Sequence, residues 1–266
     1  MNKLYISADI EGTCGIADWK ETELGEAQGA YFRAEMTSEV AVACEAAIKT
    51  GVGDILVKDA HDSGRNIDPS ALPTRVRIMR SWTRDPFSMM AGIDSSFGGV
   101  FFIGYHSAAG TDGNPLAHTM NLNNVAVRIN GVLASEFMIN AYTAGLVGVP
   151  VLMLAGDRAL CQTAAAVQPN IRTVAVSEGN GNASISIHPA LAHERIAATA
   201  IEALSADPKT MMVELPGSFE VSIFFKQHFL ANRGSYYPGA SRPGAHEVVF
   251  RSGSWAEVLA FLFFVL

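Results

Sequence analysis

Asp9 and Glu11 follow an apolar run, Leu4-Tyr5-Ile6, and lead into Gly12. In an extended chain, residues two apart share a face, so both carboxylates project together from a strand end. Two like charges held that close repel and resist burial unless a cation lies between them. Asp59 and His61 end a second apolar run, Ile55-Leu56-Val57, and His106 ends a third, Val100-Phe101-Phe102-Ile103. Open parallel sheets bind ligands beyond the carboxyl ends of their strands, so these ends describe one shared site. A mixed Asp, Glu and His donor set suits zinc or a similar borderline divalent ion. Calcium and magnesium prefer all-oxygen shells.

Other polar residues are ambiguous on spacing alone. Asp59 either joins the ligands or holds a neighbouring histidine in place. Glu136, in the first turn of a helix, reads as a partner of the helix dipole. His118 lies beyond His106 in Pro115-Leu116-Ala117-His118-Thr119-Met120, and fits either a surface histidine or a base carried by a loop. His188, His193, His228 and His246 have no partner at ligand spacing and read as structural or exposed. Cys14 is close to Glu11, but a thiol beside metal ligands is more ordinarily inert or metal-bound than nucleophilic. Gly98-Gly99 and Gly179-Asn180-Gly181 lack the pattern of a phosphate loop, so no nucleotide site is expected.

These residues need a scaffold of some size. The chain has 266 residues, 49% hydrophobic and 17% charged, a composition that folds compactly. Its formal net charge of −7, with no Lys/Arg run, argues against a nucleic-acid partner. Three widely spaced cysteines, Cys14, Cys44 and Cys161, read as reduced thiols of a cytoplasmic protein. No basic-then-apolar leader precedes the first strand. The apolar tail Val258 to Leu266 is too short to span a bilayer, and it reads as a helix packed on the body or on another subunit. No membrane partner is expected.

Strand and helix alternate through the first half. The polar stretch Thr13 to Gly29 reads as a loop, and a helix follows from about Arg33 to Lys49. Asn130-Gly131 between apolar strands predicts a hairpin over Val125 to Ser135, after which Ser135 caps a helix opening at Glu136. Val151 to Leu154 and Ile171 to Val176 read as strands, Glu178 to Asn182 as a loop, and Pro189 to Leu204 as an amphipathic helix. Strands are expected around Met211–Leu215, Glu220–Phe225 and Glu247–Arg251, before a terminal helix. The expected fold is a three-layer α/β/α with a largely parallel sheet. Residues 1–178 would form the metal-binding core, and 179–266 a smaller α+β region concerned with assembly. The strand at 151–154, the hairpin tip and the apolar tail together predict more apolar surface than a monomer covers.

Ser7-Ala8-Asp9-Ile10-Glu11-Gly12 resembles the signature of the zinc-dependent D-aminopeptidases of bacterial dipeptide-transport operons, the DppA-type family. Val57-Lys58-Asp59-Ala60-His61, Gly104-Tyr105-His106, His118-Thr119-Met120, Ser135-Glu136 and the run Pro150 to Asp157 match in order. The resemblance implies a two-zinc site with Asp9, Glu11, His61, His106 and Glu136 as ligands, Asp9 bridging. It also gives His118 the catalytic role, described in the family as a nucleophile; a general base is physically preferable, because zinc already lowers the pKa of its water to near neutral. The implied activity is removal of the N-terminal residue from short peptides or amino-acid amides, with D-residues preferred. The implied assembly is a homodecamer of two stacked five-membered rings. The resemblance is looser beyond residue 180, and the loops around Cys14 and Thr111 to Pro115 depart from it. A dinuclear phosphoesterase, with Lys58 and Arg65 as the nearest phosphate clamps, and a non-catalytic peptide- or metal-binding module are the alternatives.

Overall fold

The computed structural model describes residues 1–266. The chain opens with β1 (Lys3–Ala8), α1 (Gly29–Lys49), β2 (Asp54–Asp59), β3 (Val76–Met79) and β4 (Gly99–Tyr105). It continues through β5 (Asn124–Ile129), β6 (Val132–Leu133), α2 (Glu136–Leu146), β7 (Val151–Asp157), α3 (Arg158–Ala164), β8 (Arg172–Asn180) and β9 (Ala183–Ser186). It ends with α4 (Pro189–Ser205), β10 (Phe219–Phe225), α5 (His228–Gly234), β11 (Glu247–Ser252) and α6 (Trp255–Val265).

One sheet has the order β3-β2-β1-β4-β7-β8-β9, parallel except where β9 turns back along β8. Helices α1 and α4 pack together against one face, and α2 and α3 supply apolar side chains to the other. This is the expected three-layer α/β/α arrangement. Every residue of β4 and β7 is buried; strands covered on both faces read as continuous apolar runs. The strand order runs outward in opposite directions from the β1–β4 pair, which makes that pair the topological switch point where open sheets bind ligands.

Two glycines let the ends of β1 and β4 touch. Gly104, at φ +73, bulges β4, and its carbonyl accepts the Gly12 N–H at 2.8 Å, while Ile103 accepts from Asp9 N–H at 2.9 Å. A Cβ on Gly12 would overlap the Tyr105 carbonyl, and one on Gly104 would overlap that of Asp9. The chain after β1 is thus fastened to the end of β4, which fixes Asp9 and Glu11 relative to His106.

A second, antiparallel sheet has the order β11-β10-β5-β6. Its core is built from Phe219, Val221, Ile223, Trp255 and Phe261, with α5 and α6 packed over it. The hairpin turn is as the sequence predicts: Asn130 and Gly131 both have positive φ, 50 and 82, the pair that a type I′ turn requires. The two sheets exchange segments across residue 178, because β5–β6 joins the second sheet and β9 and α4 join the first.

Several local expectations need correction. Glu178–Asn182 is not a loop: β8 runs on to Asn180 and returns through Gly181 (φ 61) into β9. Gly179 makes this possible by lying flat against Gly113, to whose carbonyl its N–H donates at 3.0 Å. Met211–Leu215 forms no strand; Met211 and Val213 point into the core, and Gln168 Nε2 donates to the Met212 carbonyl at 2.7 Å, where a strand neighbour would be. Helix α1 begins at Gly29, a turn before residue 33, and α5 was not legible as a helix. The apolar surface expected of 151–154 is enclosed in β7. Helix α6 buries Trp255, Val258, Phe261, Leu262 and Val265, but leaves Phe264 68% exposed. No helix is long and apolar enough to cross a membrane.

Candidate metal centre

The residues expected to converge do so beyond the β1–β4 switch point. His61 Nδ1 lies 3.4 Å from Asp9 Oδ1 and 3.1 Å from Glu11 Oε2. His106 Nε2 lies 3.6 Å from Asp9 Oδ2 and 3.5 Å from Glu136 Oε2. Asp9, Glu11 and His61 therefore form one donor set, and Asp9, His106 and Glu136 a second; within each, the donor atoms lie within 4.8 Å of one another. Asp9 belongs to both and faces them with different oxygens. All five side chains are buried.

Local hydrogen bonds aim each donor. His61 turns Nε2 to the Thr22 carbonyl (3.1 Å), which leaves Nδ1 for the cluster. His106 turns Nδ1 to the Ser107 carbonyl (2.9 Å), which leaves Nε2. Glu136 Oε1 accepts the Met120 N–H at 2.7 Å, and its Oε2 faces His106. Ser135 caps α2 by accepting the Met138 N–H, which sets Glu136 at the helix start. Beneath the cluster, Tyr105 Oη pairs with Ser7 Oγ at 2.6 Å and accepts from Asn140 Nδ2 at 3.0 Å, tying α2 to β1 and β4.

The electrostatics of this arrangement call for cations. Burial and the neighbouring Glu11 raise the Asp9 carboxyl well above the usual range. Although burial opposes ionisation of Glu136, His106 and His118 hold its pKa at about 2. Burial likewise disfavours charge on His61 and His106, yet Glu11 and Asp9 raise the first and Glu136 raises the second. Without a cation between them, Glu136, His61 and His106 depend on their neighbours for their charge, and Asp9 resists ionisation. Asp9 Oδ2, Glu11 Oε2 and His106 Nε2 are buried without a hydrogen-bond partner, and buried polar atoms seldom stay unpaired unless something else binds them. These donors fit divalent metal ions.

His118 sits at the edge of the cluster. Its Nδ1 pairs with the Leu116 carbonyl (3.0 Å), and Nε2 faces Glu136 Oε1 at 3.4 Å and Glu11 Oε1 at 4.0 Å. The ring stacks on His106, centroids 4.3 Å apart, with the edge of Trp19 at 5.2 Å. Glu11, His106 and His118 also fall within ligand range of one another. The remaining histidines stay outside: His193 pairs with Glu35 at 2.8 Å, and His188 caps α4.

The profile of the D-aminopeptidase peptidase family matches residues 2–264 of this chain. The chain belongs to that family. A D-aminopeptidase of Bacillus subtilis (strain 168) is 30% identical over 257 residues, covering 96% of this chain and 93% of its own. A solved structure, the Zn-dependent D-aminopeptidase DppA from Bacillus subtilis, a self-compartmentalizing protease, superposes with a TM-score of 0.91 at 29% identity. That match covers 99% of this chain and 96% of the other. This chain is accordingly a metal-dependent aminopeptidase by family.

In this family member the sequence left several site residues unread. Asp59, open between two roles, does not enter the cluster; it accepts from Asn66 and Ile67 N–H and so shapes the loop after His61. Asp157, at the end of β7, accepts from Ser107 N–H and Oγ and from Leu160 N–H, holding the His106 loop from the far side. It carries the same strand-end signal as Asp59. Thr22, Trp82 and Met120 line or aim the site from loops, and Trp19 from a short 3-10 turn; no spacing marks them. The metal pocket, about 420 Å³, contains no Lys or Arg. Lys58 is buried, with its ammonium donating to the Asp59 and Ser81 carbonyls. A phosphate ester would find no clamp here.

Proposed function

We propose that the protein is a di-zinc aminopeptidase that removes the N-terminal residue from short peptides or amino-acid amides, preferring D-residues. The observation that carries this reading is Asp9, whose Oδ1 and Oδ2 face two separate donor sets, as a bridging carboxylate must. Asp9, Glu11 and His61 would hold one ion, and Asp9, His106 and Glu136 the other. The Asp/Glu/His mixture suits zinc, and the structural relative is described as Zn-dependent. When bound, two such ions supply polarisation of a carbonyl and a water acidified towards neutral pH.

The chain's own residues handle the protons. The Nδ1 partner of His118 leaves its Nε2 lone pair facing the cluster. His118 is thereby placed to accept a proton from the attacking water and return it to the leaving amine, the work of a general acid–base. Stacking on His106 and the edge of Trp19 keep the ring in that plane. Glu23 and Asp62 are the lining carboxylates outside the ligand set, and such groups suit the substrate ammonium. The D-preference follows the relatives' names. Likeness to a self-compartmentalizing protease supports a closed homo-oligomer, a homodecamer by the sequence resemblance. Exposed Phe229, Tyr236 and Phe264 are among the apolar contacts available for it. Three free cysteines accord with a cytoplasmic setting.

Elemental analysis of the purified protein, with amino-acid amides of both hands as substrates, tests the reading. Two zinc-class ions per chain and D-selective turnover abolished by chelator are expected. Full activity without metal, or cleavage of L-amides alone, would overturn it.

A further inference from the structure

Beside the metal pocket lies a second cavity of about 190 Å³, lined chiefly by Phe87, Met120, Ile139, Leu259, Leu262 and Phe263. The two cavities share Met120 and Asn121. A shallow depression bounded by Trp82, Arg84, Asp85, Ser88, Met120 and Phe263 shares Trp82 and Met120 with the metal pocket and Ser88, Met120 and Phe263 with the second cavity. Met120 is the common wall. Its backbone lies in the left-handed region at φ 65, an uncommon conformation for a residue other than glycine. Its N–H donates to Glu136 Oε1, the oxygen that faces His118 Nε2 at 3.4 Å. The strained residue is thereby fastened beside the proton-carrying histidine.

We propose that this cavity receives an apolar side chain of the substrate, that of the residue released as the leaving amine. The inference rests on the aminopeptidase reading above. His118 serves the leaving nitrogen, so whatever hangs from that nitrogen begins beside His118, and the recess on that side opens across Met120. The metal pocket's own acidic side chains outside the ligand set, Glu23 and Asp62, belong with the substrate ammonium. No charged side chain lines the second cavity. A cavity of about 150 Å³ with aliphatic and aromatic walls holds benzene, so this one admits a branched aliphatic or phenyl group. Part of its wall is α6, which gives the apolar carboxyl-terminal helix a role in selecting substrate.

The test compares kcat/KM for D-alanyl dipeptides whose second residue is glycine, D-alanine, D-leucine or D-phenylalanine. Calorimetric binding of the non-cleavable reduced-amide analogues of the glycine and leucine dipeptides runs alongside. Leucine and phenylalanine should exceed glycine by about 10- to 100-fold, the usual worth of filling an apolar pocket. Phe263→Asp, at a wall position 39% exposed, should collapse the leucine-to-glycine ratio towards one while the metal content stays unchanged. Phe263→Ser serves if that variant does not fold. Equal values for glycine and leucine, or a ratio untouched by Phe263 substitution, would overturn the pocket. Hydrolysis of every dipeptide with a flat ratio removes the pocket and keeps the peptidase. Selective binding of the leucine analogue without any hydrolysis keeps the pocket and removes the peptidase.

Discussion

Asp9 and Asp59 stand at the ends of neighbouring strands, where Asp59 is in register with Ala8. Both are buried and both precede a second polar residue by two positions. Their oxygens are used in opposite ways. Asp59 Oδ2 accepts from the N–H groups of Asn66 and Ile67 (2.6 and 2.8 Å), and Oδ1 accepts from Asn66 Nδ2 at 3.0 Å. Asn66 Nδ2 also reaches the His61 carbonyl at 2.8 Å, so this aspartate holds a ligand candidate through its loop. Asp9 accepts one N–H, from Ile10, and its Oδ2 has none. The reason is where the next N–H groups go: Gly12 donates to Gly104 and Thr13 to Ile10, away from the carboxylate. A strand-end aspartate becomes architecture when its own loop supplies donors, and is left for a cation when that loop is fastened elsewhere.

The sharpest way to break this contrast is Asp9→Ala. It should abolish binding of both ions and reduce turnover to background, because one carboxylate serves both donor sets. Metal analysis that finds two ions and normal activity in the variant would refute the bridging role. A smaller loss is expected at His118. His118→Ala should keep both metals and most substrate affinity, while turnover falls by about 10²–10⁴. A pre-steady-state burst in the parent enzyme, absent in the variant, would instead make His118 a covalent nucleophile.

Asp59→Ala probes the architectural partner. It strands the donors of Asn66 and Ile67, and should lower metal affinity by about 10–100-fold, as for other residues that support a ligand from behind. Unfolding should also become easier by about 1–3 kcal/mol. Metal titration and thermal melts separate the two effects, and unchanged affinity would show that His61 needs no such support.

The smallest effect concerns a carboxylate with neither donors nor cation in full. Burial raises the Glu39 carboxyl to about 8; its Oε1 accepts the Cys14 N–H at 2.9 Å and its Oε2 has no partner. The folded pKa lies above the unfolded value of about 4.3. The stabilisation is therefore complete below that unfolded value, and is lost as pH rises towards about 8. Glu39→Gln should flatten that decline and raise Tm by a few degrees at the alkaline end, at about 2–4 °C per kcal/mol. Parallel melting curves for the two proteins across this range would place the proton elsewhere.

The sequence by itself determined the central strands of the parallel sheet, their apolar interiors and the polar residues that end them, because period and composition are local properties. Asp9, Glu11, His61 and His106 were legible as strand-end donors, and the Asn130-Gly131 turn as a hairpin. Glu136 was not separable from an ordinary helix-start carboxylate without the family resemblance, since its signal is the same as that of a residue serving the helix dipole. Gly and Asn at 178–182 signalled a loop because composition does not see that Gly179 fits against Gly113. Whether Asp59 or Asp9 keeps a free oxygen was decided only by tertiary structure. That choice depends on which carbonyls take the N–H groups of the following loop; after Asp9, Gly12 donates to Gly104, on a strand more than ninety residues away, and Thr13 to Ile10. The course of the chain past Met120, with Glu136 on one side and α6 on the other, is equally invisible in spacing. It is set in part by the Glu136 carboxylate, which takes the Met120 N–H from the start of α2.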